Sequence, residues 1–166
     1  MPKFWIIRHA KTGDGARDHD RELTERGHRD GANLKQWLTV QEHPATWIWS
    51  SSATRAQQTS QYVHKAFDQP TQPAQLCTEE SLYLCPPERV LTCLQETPGD
   101  IDCAAVVAHN PGLTYCANLF SGTEWIDNLP TFGCVLFEFD GRWSDLQFGR
   151  CTRLRWMTPK TLREQH

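Results

Sequence analysis

Ala104-Ala105-Val106-Val107-Ala108 is an unbroken apolar run of five residues, preceded by Asp102-Cys103 and followed by His109-Asn110. A run this short cannot hold a globular helix, and its Val pair suits a strand buried on both faces, as in a parallel sheet. It ends on His109-Asn110, after which Pro111 suits the first turn of a helix reaching about Phe120. The same order recurs upstream. Lys3 to Ile7 reads as a first strand, giving way to Arg8-His9, and Lys11 to Arg21 as a polar loop. Thr24 is placed to cap a helix to about Val40, with Leu34, Trp37 and Leu38 on one face. Trp47-Ile48-Trp49 reads as a second strand. It stops at Ser50-Ser51-Ser52, which are good caps for a helix carrying Ala56, Val63 and Phe67. Between Pro70 and Pro87 lies loop with a short extended piece, Gln75 to Cys77. Pro87 then opens a helix through about Gln95. Cys134 to Phe139 alternates, and Asp140-Gly141 reads as a hairpin turn before Arg142-Trp143. Leu154 to Met157 reads as a last strand, ended by Pro159. Alternating strands and helices predict an α/β three-layer sandwich. Its central sheet is mainly parallel, flanked by helices, with a C-terminal antiparallel hairpin.

Length and composition narrow the function classes. The 166 residues fit one domain spanning 1–166. Net charge is -3, with 39% hydrophobic and 22% charged residues. No global basic field is present to hold nucleic acid, and no stretch approaches the length of a membrane span. The first apolar run is too short for a secretory signal and ends in charge. The seven cysteines form no Cys-x-x-Cys pair, so zinc and thioredoxin-type readings are weak. They read as reduced thiols in a cytoplasmic protein.

Three strand-to-helix corners carry charged or titratable groups: Arg8-His9, Arg55 in the first turn after Ser51-Ser52-Ala53-Thr54, and His109. In an open α/β sheet such corners gather at one edge, where ligands bind. Helix N-termini there favour anions. A cation in a helix's first turn opposes the dipole, so Arg55 makes more sense with an anion above it. Taken alone, Arg8-His9 is equally a solvated strand end; taken with the other two corners it becomes half of a phosphate pocket.

These residues resemble the histidine phosphatase superfamily (phosphoglycerate mutase-like), in particular its small SixA-like phosphohistidine phosphatases. Arg8-His9-Ala10 is similar to the family's Arg-His-Gly, with Ala10 in place of Gly. Arg21-Glu22-Leu23-Thr24 with Gly27 is similar to its Arg-x-Leu-Thr-x-x-Gly segment. Ser51 through Thr59 resembles the second-arginine motif, and Ala108-His109-Asn110-Pro111 the second-histidine motif. Leu129-Pro130-Thr131 and Met157-Thr158-Pro159 also resemble the small branch.

The resemblance implies a metal-independent phosphatase with no cofactor. His9 would be the nucleophile, and Arg8, Arg55 and His109 would hold the phosphoryl oxygens. Glu80, with Tyr83 three residues on, is either the general acid or a solvated loop carboxylate. Arg21 is either a rim contact or a structural ion pair. His19, His28, His43, His64 and His166 read as surface residues. About twenty residues separate Tyr83 from Ala104, too few for a large cap over the site. An open site suits a phosphorylated protein, such as a histidine phosphotransfer domain. The alternatives are a small-molecule phosphomonoesterase, acting on a small phosphate ester, and a non-catalytic phosphoprotein- or anion-binding module.

Overall fold

The short apolar runs lie side by side in a computed structural model that describes residues 1–165; His166 is outside them. The strands are β1 (Lys3–Arg8), β2 (Trp47–Ser51), β3 (Gln75–Glu79), β4 (Cys103–Ala108), β5 (Cys134–Glu138) and β6 (Thr152–Met157). They form one sheet in the order β3-β2-β4-β1-β5-β6. The first four are mutually parallel, β5 runs antiparallel to β1, and β6 antiparallel to β5. The predicted α/β layering is therefore the observed one.

Alternation along β1 sends neighbours to opposite faces. Phe4 and Ile6 join one core with Val106, Leu113, Phe120 and Phe137. That core is covered by α3 (Pro87–Gln95) and α4 (Gly112–Ser121). Trp5 and Ile7 join the other core with Leu34, Leu38, Val63 and Phe67. Its cover is α1 (Glu25–Thr39), α2 (Thr54–Phe67) and α5 (Pro159–Glu164). Phe4, Trp5, Ile6 and Ile7 are all fully buried. Each such apolar side chain is worth about 1.5–3 kcal/mol over exposure.

The start of α1 is fixed by two contacts. Thr24 Oγ1 accepts the Gly27 N–H at 3.0 Å, capping the helix as predicted. The Thr24 N–H donates to Lys11 O. A Cβ on Gly27 would sit 2.3 Å from that same Lys11 oxygen, so glycine lets the helix start lie directly beneath the loop that follows β1.

Two local expectations fail for physical reasons. Ser50 and Ser51 do not cap α2; they extend β2, register with Thr78 and Glu79 of β3, and are fully buried. Asp140-Gly141 does not lead straight into a returning strand. Arg142 and Asp145 instead form a capping box around a short 3₁₀ turn, Trp143–Asp145. Trp143 there is buried and donates its indole N–H to Ile101 O. The returning strand is β6, which begins only at Thr152. Pro159 ends that strand by opening α5, where Thr158 Oγ1 caps Thr161 N–H. Proline at a first helical position is favourable, so the residue read as a stop is also a start.

Candidate active site

Sheet order places β2, β4 and β1 as neighbours, so the carboxyl ends of all three parallel strands meet. The His9 N–H donates to Ala108 O at 3.1 Å, stitching two of the corners together. His9 is 7% exposed. Its Nδ1 lies 2.8 Å from the carbonyl of Ala10. A carbonyl can only accept, so Nδ1 carries the proton and Nε2 keeps its lone pair. That is the tautomer a nitrogen nucleophile needs. Ala10 serves this without glycine's freedom: among the described residues the non-glycine positive-φ positions are Leu84 and Phe132. Its N–H is held by Thr59 Oγ1 at 2.9 Å.

Three further groups surround His9. Arg8 donates from Nη1 to Leu129 O at 3.0 Å, which explains why the late Leu-Pro-Thr segment matters to a strand-one arginine. Its Nε is buried and has no partner among the described residues. Arg55 is 3% exposed and reaches Asp18 twice: Nη1 to the backbone carbonyl at 2.6 Å, Nη2 to Oδ2 at 3.0 Å. Its remaining N–H groups meet no protein acceptor among the described residues. His109 is equally buried; its ring lies 5.2 Å from that of His9, centroid to centroid. His109 Nε2 is 2.7 Å from Ser51 Oγ, whereas Nδ1 is buried and unpartnered among the described residues. Arg8, His9, Arg55 and His109 thus converge, with buried polar atoms left open.

Buried donors without acceptors are costly and rare. An anion with several oxygens would complete Arg8 and His109 together. Among the described residues no group of three or more His, Cys, Asp and Glu is placed to hold a metal ion.

The polar loop after β1 forms the rim. Asp18 lies in a short 3₁₀ turn, Asp18–Asp20. Its Oδ2 takes both Arg55 and the Tyr83 hydroxyl, and its Oδ1 takes Arg21 at 3.1 Å. Those bonds hold the Asp18 carboxyl down at about 2, the Tyr83 bond contributing most. Arg21 also donates to Gly13 O and Thr12 Oγ1, so it braces the loop as well as charging the rim. His19 lies against Tyr83 and its Nε2 is 2.9 Å from Ser52 Oγ, placing it on the rim rather than on a remote surface. Tyr83 in turn packs edge-on against His109. Glu80 is exposed; its carbonyl accepts the Tyr83 N–H at 3.0 Å, but its carboxylate makes no hydrogen bond or ion pair with these groups among the described residues. His28 and His64 bond Tyr62 and Ala74 O, and His43 lies 3.8 Å from Glu42, all apart from the pocket. Sequence reading missed Asp18 because one carboxylate in a loop with three is no signal. It missed the Ser51–His109 contact because that pair spans 58 positions.

Both pocket histidines are neutral at physiological pH. Burial, then Arg55, Arg8 and Arg21, push His9 down to about 4 against the opposing Ala10 bond. Burial, then His9 and Arg55, push His109 to about 3. NMR titration of the ring protons is therefore expected to show a His9 midpoint near 4. A midpoint near 6.5 would contradict the pocket's electrostatics. The linkage has a definite sign: as pH falls from about 6.5 towards 4, the unfolded chain binds protons that the folded pocket refuses, so stability falls across that window.

Residues 4–80 match the family model of the histidine phosphatase superfamily, branch 1. That span holds Arg8, His9 and Arg55. Over that span the chain resembles the histidine phosphatase superfamily. An uncharacterised protein of Mycobacterium tuberculosis (strain H37Rv) is 29% identical over 165 residues, covering 93% of this chain and all of that one. A Nakamurella multipartitia protein described as phosphohistidine phosphatase SixA shares the fold at a TM-score of 0.82. It is 22% identical, with 95% of this chain and 96% of that one covered. The protein histidine phosphatase SixA complexed with tungstate follows at 0.78, 22% identical over 96% and 99% of the two chains. Among the described residues no helix is long and apolar enough to cross a membrane.

Proposed function

We propose that this protein is a histidine phosphatase that hydrolyses phosphohistidine in proteins, with His9 as nucleophile. The observation that carries the reading is the bare Nε2 of His9 beside two buried polar atoms with no protein partner, Arg8 Nε and His109 Nδ1. Nε2 would attack phosphorus in line, forming the N–P bond as the bond to the leaving group breaks. Arg8, Arg55 and His109 would bind the equatorial oxygens, whose charge needs fixed donors throughout. Water would then attack phosphorus, release inorganic phosphate and restore His9.

The rim favours a nitrogen leaving group. A phosphohistidine ring that already carries a proton departs as neutral imidazole and needs no enzyme acid. An alkoxide needs one, yet Asp18 is held ionised and the Glu80 carboxylate makes no hydrogen bond or ion pair with the pocket groups among the described residues. Access points the same way. Between β3 and β4 the one helix, α3, turns Val90, Cys93 and Leu94 into the core. It serves as sheet cover, which supports a single domain without a large cap. A phosphate carried on a protein surface suits such a mouth, whereas small metabolites favour enclosure. Cytoplasmic phosphorelay proteins are the partner class this implies.

The test is a side-by-side assay of a histidine-phosphorylated protein against aryl and sugar phosphates. The phosphoprotein should lead in kcat/KM by at least about tenfold, some 1.4 kcal/mol of transition-state discrimination. A sugar phosphate preferred by that margin would instead establish the small-molecule phosphomonoesterase, a class that includes the Escherichia coli α-ribazole-5′-phosphate phosphatase assignment given to another protein of this fold, 16% identical at a TM-score of 0.70.

A further inference from the structure

We propose that Ser51 is the positioning residue that fixes the tautomer of His109, leaving its proton on Nδ1 for donation to a bound phosphate. The inference deepens the phosphatase reading, since its ligand is the anion that reading requires. Ser51 Oγ has two neighbours within hydrogen-bond distance among the described residues. The Ala53 N–H, 3.3 Å away, can only donate to it. The other is His109 Nε2 at 2.7 Å. The hydroxyl hydrogen therefore has one available acceptor, Nε2. An Nε2 that accepts bears no hydrogen, so a neutral imidazole must carry its proton on Nδ1. Nδ1 is the ring atom that is buried without a partner.

Ser51 is held firmly enough to impose this choice. It is fully buried at the end of β2. Its carbonyl accepts from Ser50 Oγ at 3.0 Å and from Gln57 Nε2 at 2.8 Å. Ser50 is itself tied to Ser60 at 2.6 Å. The serines before Arg55 thus deliver a directed O–H to the second histidine while the following helix delivers the arginine.

Long-range ¹H–¹⁵N correlation of His109 reads the tautomer directly and needs no variant. In the intact protein Nδ1 is expected to be the protonated ring nitrogen and Nε2 the bare one; protonated Nε2 would overturn the proposal. In Ser51→Ala the Nε2–H form should appear, and affinity for inorganic phosphate should fall about tenfold. Ser51→Thr, which keeps a hydroxyl, should restore both. An S51A protein with unchanged tautomer and unchanged phosphate affinity would also overturn it. The two readings fail separately: an intact protein that shows the Nδ1–H tautomer and binds phosphate, yet hydrolyses no phosphate compound, upholds the role of Ser51 and removes the phosphatase.

Discussion

Replacing His9 with alanine is expected to stop phosphohistidine hydrolysis while the pocket still binds inorganic phosphate. The loss in kcat should be on the order of 10⁴-fold or more, the scale seen when a covalent nucleophile is removed. The reason is local. Nδ1 is committed to Ala10, so Nε2 is the lone pair free to attack. No neighbour can take its place: His109 Nε2 is engaged by Ser51, and the rim carboxylate of Asp18 is fastened to Arg55, Tyr83 and Arg21. Rapid quench with a ³²P-labelled phosphoprotein should trap an acid-labile, alkali-stable phosphoenzyme in the intact protein and none in His9→Ala. Calorimetry should find phosphate affinity reduced far less than turnover, because Arg8, Arg55 and His109 remain. Turnover surviving in H9A would sink the mechanism. An intact protein that binds phosphoprotein and never turns over would make the non-catalytic module the correct reading.

The corners of this fold were legible in sequence because each is local. Five apolar residues ending at His109, or four ending at Arg8-His9, announce both a strand and what stands at its tip. Parallel connection then brings those tips to one edge without any knowledge of contacts. Thr24 was legible for the same reason, since capping needs only the next turn. Features that depend on distant pairing were hidden. Ser50-Ser51-Ser52 has the composition of a cap, yet β3 and β4 on either side recruit Ser50 into the sheet and β3 also pairs Ser51. The long excursion before β6 was masked by Asp140-Gly141, whose preference for a turn is satisfied by a 3₁₀ turn instead of a hairpin. Glu80 was singled out by its distance from Tyr83 in sequence. In space it is Tyr83 that reaches the rim, and its partner comes from a loop 65 positions earlier.

Removing the second arginine should have the next largest effect, and a charge argument makes it more than a lost contact. Arg55→Ala is expected to lower kcat/KM by about 10²–10³-fold, as for loss of one preorganised donor to the transferring group. Two things change at once. The phosphoryl oxygens lose a permanent cation, and Asp18 loses its ion pair at 3.0 Å. Asp18 stays ionised through Tyr83 and Arg21, so a bare carboxylate then shares the pocket mouth with a phosphate dianion. Arg55→Lys should recover little, because one ammonium cannot serve both Asp18 contacts and still face the phosphate; the guanidinium fork does so with separate nitrogens. Adding Asp18→Asn to Arg55→Ala should return part of the loss, whereas Asp18→Asn in the intact background should reduce activity by loosening Arg55. That reversal of sign is a strong coupling in a double-mutant cycle. Arg55→Lys at half the original kcat/KM, or additive losses from the two substitutions, would show that Asp18 does not work through Arg55 and that the clamp needs only charge.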